Sequence, residues 1–224
     1  MKKPLLWILV LVLLAAGGYW FYDRYVQGPE YSLYQIKKAV DARDMAAIEK
    51  YVDITRTSTS LLEQTTQAGL AEMSETDRAM AGLFIGMMMA SQKDKVLQTL
   101  RAELERYVRE GKAGQGPPAN MSPQEWEQVQ SLMPLEKVLR ESQLENSQLE
   151  DIAYVNQQDS LAVVGLELRV PSKQNPLILE VQMLDKGDHW QIVGLPNAGA
   201  FLKELGVLGS LQQIKIPKLP KLRF

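Results

Sequence analysis

The fold is decided by residues 160–195, SLAVVGLELRVPSKQNPLILEVQMLDKGDHWQIVGL. Apolar and polar side chains alternate along this stretch, which is typical of half-buried β-strands. Leu166, Leu168 and Val170 share one face of such a strand, and the turn residues 185–188 separate two of the runs. The pattern predicts strands at Leu149–Asn156, Ser160–Val170, Leu177–Leu184 and His189–Leu195. Because their connections are short, we expect a four-stranded antiparallel meander.

In the residues before this sheet, apolar side chains recur at helical spacing and no longer at every second residue. Leu33, Ile36 and Val40 recur at helical spacing and predict a first amphipathic helix. Asp44 suits the N-cap of a short second helix, and the Thr and Ser residues of 55–60 offer N-caps for a third. These Thr and Ser hydroxyls could also be read as a cluster of nucleophiles, but no base accompanies them, so we favour capping.

Further helices are predicted on both sides of the sheet. Apolar residues of 96–108 recur every 3.6 residues. A capping box at Ser122 precedes Trp126, and Pro134 opens another helical piece. Asn197 suits the N-cap of a last helix after the sheet. The predicted fold class is therefore α+β, with several helices, the meander and a C-terminal helix.

Residues 79–90 form an uninterrupted run of apolar or small side chains. The run is too short to cross a bilayer, so it is either a helix buried in the core or a surface that binds something apolar. Methionine is flexible and polarisable, and it suits a surface that adapts to a partner. Gly82, Gly86 and Ala90 are four residues apart and share one helix face, where another backbone can approach closely.

The N-terminal segment predicts a membrane anchor. Residues 5–21 carry no charge, and as a helix the 19 residues 4–22 would reach about 28 Å, close to the hydrocarbon thickness of a bilayer. Lys2 and Lys3 precede the segment, which places the N-terminus in the cytoplasm. The residues assigned to the anchor are Leu5, Trp7, Trp20 and Phe21. A cleaved signal peptide ending near Leu14–Gly17 is the alternative.

These features predict three segments. Residues 1–27 are a transmembrane signal anchor in a bacterial inner membrane, and residues 28–209 are a domain exported to the periplasm. Residues 210–224 are a basic and apolar tail whose two prolines exclude a regular helix. The tail is an arm on the domain, a contact with anionic lipid or a disordered end. The lipid contact would use Lys215, Lys218, Lys221 and Arg223.

Charge and composition exclude several classes of function. The chain has a net charge of −2, and because residues 1–22 carry +2 and residues 211–224 carry +4, the remainder carries −8. Such an acidic body does not suit nucleic-acid binding. With no Cys and one His, the chain cannot build a thiolate or multi-histidine metal site, and we expect neither a metal nor a cofactor.

We assign no catalytic residues. His189 is expected to be exposed or capped. Asp41, Asp44 and Asp53 are the one route to acid–base chemistry, should packing bring them together. Their spacing instead indicates a surface position for Asp41 and helix caps for the other two.

Two stretches carry a resemblance to a known family. Residues 31–44, YSLYQIKKAVDARD, and residues 48–53, IEKYVD, resemble the opening of a bacterial family of membrane-anchored proteins of unknown function. In that family an anchor precedes a Tyr-x-Leu-x-x-Ile-x-x-Ala helix and a Val-Asp pair. Residues 190–197, WQIVGLPN, resemble its closing strand, so the resemblance spans about residues 29–205. It implies no catalytic assignment. The order of helices and curved sheet is also similar to the NTF2-like and cystatin-like α+β cone.

Three functions follow as hypotheses. The first is a non-enzymatic binding module that takes a partner protein, a second copy of itself or an apolar ligand, through the 79–90 surface or the open face of the sheet. The second is a periplasmic carrier of lipid or another hydrophobic small molecule. The third is an enzyme using the Asp carboxylates with Tyr51 or Tyr107. The candidate binding residues are Leu83, Phe84, Met87, Met88, Trp190 and Phe201.

Overall fold

The computed structural model describes residues 28–110 and 144–207, with Pro117, residues 122–124, Trp126 and Glu127 between them. In this part of the chain, no helix is both long enough and apolar enough to cross a membrane. Several predicted features lie outside the described residues. They are the anchor with Leu5, Trp7, Trp20 and Phe21, the helix opened by Pro134, most of the helix after Ser122, and the tail with Lys215, Lys218, Lys221 and Arg223.

Four α-helices whose bounds are described precede the sheet, and a 3₁₀ turn at Leu144–Asn146 leads into it. The four helices are α1 (Pro29–Asp41), α2 (Met45–Tyr51), α3 (Ile54–Ala71) and α4 (Glu75–Glu110). Asp44 caps α2 as predicted, because its Oδ1 accepts a hydrogen bond of 3.0 Å from the Ala47 amide. The two helical patterns at 79–90 and 96–108 belong to one helix, α4, whose 36 residues extend about 54 Å.

The start of α3 agrees with the cap predicted at Asp53 and differs from those predicted at residues 55–60. Residues 55–60 do not cap the helix but lie inside its first two turns. Asp53 is the N-cap, and its Oδ1 accepts a hydrogen bond of 2.9 Å from the Arg56 amide. The carboxylate competes well for this position because an ionised acceptor also interacts favourably with the positive end of the helix dipole.

The four-stranded antiparallel meander is confirmed. The strands are β1 (Gln148–Gln158), β2 (Leu161–Arg169), β3 (Leu177–Asp185) and β4 (Trp190–Gly194), and they pair in the order β1-β2-β3-β4. Each predicted strand agrees with its observed range to within two residues at either end. The fold class is α+β, as predicted.

One face of the sheet packs on the helices. Ala162 and Val164 of β2 and Met183 of β3 are fully buried, and side chains of α1 pack against the same cluster. A second cluster joins Val170, just beyond β2, to the last helix, α5 (Ala198–Leu205). The period-two alternation therefore identified the buried face correctly.

α5 begins after Asn197, as predicted, but the Asn197 side chain does not cap it. Instead Oδ1 accepts a hydrogen bond of 2.8 Å from the Glu180 amide, and Nδ2 donates one of 2.9 Å to the Ile178 carbonyl. Asn197 thus joins the start of α5 to β3. The helix ends at Gly206, whose φ of 83° is left-handed and suits glycine.

α3 runs beside β4 and is tied to it by polar side chains. The Asp53 amide donates a hydrogen bond of 2.8 Å to the Ile192 carbonyl. Ser60 Oγ accepts one of 3.0 Å from the Leu195 amide, and Thr57 Oγ1 donates one of 3.3 Å to the Ile192 carbonyl. Two hydroxyls of the predicted capping run therefore hold α3 on the sheet.

Candidate functional site

The apolar run of α4 presents large side chains to solvent. Met80, Leu83 and Met87 are 51%, 72% and 70% exposed, whereas Ala81 between them is fully buried. The three exposed residues are spaced by three and by four, so they lie on one side of the helix. We call this set the Met80–Met87 surface. Of the two interpretations of residues 79–90, the structure favours the surface over the core helix for these side chains.

Gly82 and Gly86 differ in their surroundings, although both were predicted on one face of the helix. A Cβ at Gly82 would lie 3.9 Å from Leu70 Cδ1, so this glycine faces α3. A Cβ at Gly86 would meet no atom within 4 Å. α4 therefore packs on α3 near Gly82 and is open at Gly86, next to Met87.

The predicted binding residues do not form one group. Trp190 is buried with Ala162, Val164 and Met183, whereas Phe201 is buried in the other cluster. Met87 is exposed on α4, and the side chains of Phe84 and Met88 lie outside the described part. Trp190 and Phe201 thus serve in the core, where large aromatic side chains contribute most of their burial energy.

His189 joins β4 to the end of α2, a role that its position in the sequence did not reveal. Its Nδ1 lies 2.6 Å from Asp188 Oδ1, and its Nε2 lies 2.8 Å from the Lys50 carbonyl oxygen. Each ring nitrogen is thus within hydrogen-bond distance of an oxygen atom. The Lys50 carbonyl belongs to the last turn of α2, so the imidazole lies at the C-terminus of this helix. The side chain is 14% exposed, so of the two predicted states, exposed or capped, His189 is the capped one.

Charged and aromatic groups surround this histidine. Lys50 Nζ lies 3.3 Å from Asp188 Oδ2, and the Tyr51 ring meets the imidazole edge-on at 5.3 Å between centroids. The hydrogen bond from His189, followed by that from Lys50, lowers the pKa of Asp188 below its ordinary value of 3.8. Gln191 Nε2 adds hydrogen bonds to the carbonyl oxygens of Glu49 and Lys50. β4 thereby satisfies the last carbonyls of α2, which have no partner within the helix.

The three acidic candidates occupy separate local roles. Asp41 forms an exposed ion pair of 2.7 Å with Lys37, while Asp44 and Asp53 are N-caps. Their assignment to surface and caps is confirmed. No group of three or more His, Cys, Asp or Glu side chains that could hold a metal ion occurs in the described ranges.

The open face of the sheet carries an aromatic and acidic cluster. The Tyr154 ring lies flat on Gly165, where a Cβ would be only 2.6 Å from Tyr154 Cε1. The Tyr154 hydroxyl donates a hydrogen bond of 2.5 Å to Glu180 Oε1, and this bond raises the pKa of Tyr154. Glu150 and Arg169 pair through two hydrogen bonds of 2.7 and 3.0 Å. These groups satisfy one another across the strands, which stabilises the sheet.

Comparison with known protein families finds a similarity over part of the chain. No curated protein matches it. The strand at 190–197, expected to belong to the same family as the opening helices, lies outside the region that a family model matches. That region is residues 12–102, which include the Tyr31–Asp53 motifs and the whole Met80–Met87 surface, and it is similar to the family described as a protein of unknown function (DUF2939).

Proposed function

We propose that this protein is a single-pass envelope protein whose exported domain is a non-enzymatic binding module, and that the Met80–Met87 surface receives its protein partner. The observation that carries the proposal is the exposure of three large apolar side chains on one side of α4. Contiguous apolar surface of this kind is costly in water and often marks a site of association.

The chemistry of the surface suits a protein partner. Methionine side chains adjust to the shape of what they contact, and leucine supplies a fixed apolar anchor between them. The surface lies on a helix, so it can contribute regularly spaced side chains to a partner's groove or helix. In this proposal residues 1–27 hold the domain at the inner membrane, and the basic residues of the tail contact anionic lipid.

The carrier and enzyme hypotheses have less support. A carrier lined by Met87, Trp190 and Phe201 needs these side chains around one cavity, but Trp190 and Phe201 are packed in separate clusters. An enzyme using Asp41, Asp44 and Asp53 needs the carboxylates to converge, but each is engaged locally. An apolar ligand on the exposed surface remains the alternative to a protein partner.

Photo-crosslinking in cells tests the proposal. A photoreactive amino acid is placed at Leu83 or Met87 of the full-length chain, and at Tyr34 of α1 as a control, because Tyr34 is 60% exposed. We expect discrete protein adducts from positions 83 and 87 and none of the same mass from position 34. Equal adducts from all three positions, or none from any, would refute partner binding at this surface.

A substitution tests the same surface without crosslinking chemistry. Leu83→Glu should abolish the adduct formed from position 87, because the carboxylate must be desolvated in an apolar interface. The melting temperature should change little, because residue 83 is exposed in the free protein. Tyr34→Glu is the matched control and should leave the adduct intact.

The predicted placement in the envelope has its own test. Protease added outside the inner membrane of spheroplasts should digest the domain, whereas a tag at the N-terminus should stay protected. A chain that resists protease until the membrane is lysed would contradict export.

A further inference from the structure

We propose that residues 214–223 of this chain bind the open face of its own sheet, at the end where Asp151, Glu167 and Ile178 lie, which we call the acidic end. The inference goes beyond the proposed function and does not depend on the Met80–Met87 surface. Three features of the molecule carry it: the charges of the sheet, the composition of the tail and the point at which the described chain ends.

The acidic end combines carboxylates with an exposed apolar side chain. Glu167 of β2 is in register with Ile178 of β3 on one side and with Asp151 of β1 on the other. The next pair in register, Leu168 and Leu177, packs on the helix face of the sheet, so Glu167 and Ile178 point to the open face. Ile178 is 40% exposed, and Asp151 is exposed too. This end of the sheet therefore offers both apolar contact and negative charge to a segment that lies across it.

The carboxylates of the acidic end repel one another. Asp151 and Glu167 are register partners on neighbouring strands, and like charges in this position destabilise a strand pair. Within the described ranges neither forms an ion pair, and Arg169, the one cation of β1–β3, is paired with Glu150. The five carboxylates of these strands leave a net charge of −4: Glu150, Asp151, Glu167, Glu180 and Asp185. A cationic segment bound here would relieve the repulsion.

The tail supplies the complementary charge. Residues 214–223 have a charge of +4 and no acidic residue, and apolar side chains are interspersed among the basic ones. Pro217 and Pro220 cannot donate to a ladder of backbone hydrogen bonds, but they favour an extended conformation that binds through its side chains. Such a segment can place apolar side chains on Ile178 while its basic side chains meet the carboxylates.

The described chain ends close to the acidic end. Val207 is buried in one cluster with Val170, which directly follows Arg169, the last residue of β2. Glu167 is three residues before Val170, which is about 10 Å along the strand. Residues 208–214 can extend over about 23 Å, which is enough to pass round the end of the sheet from the helix face to the open face. The tail can therefore reach the acidic end of its own sheet.

The sheet and the membrane compete for the tail. The same four basic side chains cannot contact the acidic end and anionic lipid at once. Anionic lipid should therefore draw the tail away and uncover the open face, whereas an uncharged membrane should leave the tail in place.

The absence of cysteine from the chain makes a direct test possible. Leu219→Cys in the tail is combined with Ile178→Cys at the acidic end, or with Leu161→Cys at the other end of the same face. Positions 178 and 161 are 40% and 38% exposed, so they are matched. The full-length protein in uncharged detergent is treated with a short bismaleimide, and crosslinked peptides are identified by mass spectrometry of the monomer band. We expect a crosslink within the chain from Ile178→Cys and several-fold less from Leu161→Cys.

Charge reversal tests the electrostatic part of the interaction. Glu167→Lys, added to the Ile178→Cys/Leu219→Cys protein, should lower the crosslinking yield about five-fold, because attraction to the tail becomes repulsion. The melting temperature should not fall, since the introduced lysine can pair with Asp151 across the strands. Glu63→Lys makes the same change at an exposed position of α3 and should leave the yield unaltered.

The remaining outcomes separate this inference from the proposed function. Equal yields from positions 178 and 161, or a yield that Glu167→Lys does not change, would overturn it. A crosslink confined to a dimer band would place the tail on a second copy and would overturn it as well. Phosphatidylglycerol vesicles should abolish the crosslink and phosphatidylcholine vesicles should not. A yield that phosphatidylglycerol leaves unchanged would refute the lipid contact of the proposed function while the contact with the sheet stands.

Discussion

The packing of α5 on α3 gives a prediction whose size follows from the structure. A methyl group at Gly199 would lie 2.5 Å from the Gln64 carbonyl oxygen and 2.7 Å from Ala68 Cβ. Ordinary contacts begin near 3.4 Å, so Gly199→Ala must move the two helices apart by about 1 Å. Overpacking of this kind costs about 1–3 kcal/mol, and the better helix propensity of Ala offsets at most about 1 kcal/mol. We expect a net loss of about 1–2 kcal/mol.

Thermal unfolding of the full-length chain, followed by circular dichroism, measures this loss. A loss of about 1–2 kcal/mol corresponds to a melting temperature lower by roughly 2–8 °C for a protein of this size. Gly69→Ala in α3 is the matched control, because its Cβ would meet nothing within 4 Å. It should gain about 0.5–1 kcal/mol from reduced chain entropy. If Gly199→Ala melts at or above the unmodified protein, α5 does not approach α3 as closely as described.

Two further substitutions probe α1 and the joint between α2 and β4. Ser32→Ala should lower the free energy of unfolding, measured in urea, by about 1–3 kcal/mol, because the Trp190 amide loses its buried acceptor at 2.9 Å. An unchanged free energy of unfolding would show that water replaces the hydroxyl. Folding lowers the pKa of Asp188, so its ionised form stabilises the protein above pH 3.8 and this stabilisation is lost as the pH falls further. Asp188→Asn should therefore unfold more easily than the unmodified chain at pH 6, and the difference should vanish toward pH 3.

The sheet could be predicted from the sequence because strand periodicity is a local signal. Leu166 and Leu168 alternate with Glu167 and Arg169, and the buried face follows directly from that alternation. The short connections between runs then leave little choice of topology. The N-cap role of Asp44 could also be predicted, because an acidic residue directly before an apolar helical pattern has few other roles.

Other features depend on contacts that the local sequence does not encode. Asp53 and the hydroxyl residues of 55–60 were all acceptable N-caps for α3. Thr57 and Ser60 instead form hydrogen bonds to Ile192 and Leu195, which leaves the cap position to Asp53. Asn197 suits an N-cap by its residue type. In the structure its side chain instead bonds the backbone of β3, at Glu180 and Ile178, a contact that the local sequence does not show. Exposure of Leu83 could not be predicted either, because an apolar run has the same sequence whether or not another element covers it.

The hydrogen bonds around β4 have a consequence for the order of folding. His189 and Lys50 are 139 residues apart in the chain, and Trp190 and Ser32 are 158 apart. During synthesis the N-terminus emerges first, so α1 and α2 are complete long before β4 has been made. Their hydrogen bonds to His189 and Trp190 can form only after that. Closing such long loops is slow and carries an entropic cost that short hairpins avoid. We therefore expect the N-terminal helices to reach their final stability only after nearly the whole domain has been synthesised. The family-matched residues 12–102 thus depend on a strand that lies beyond them.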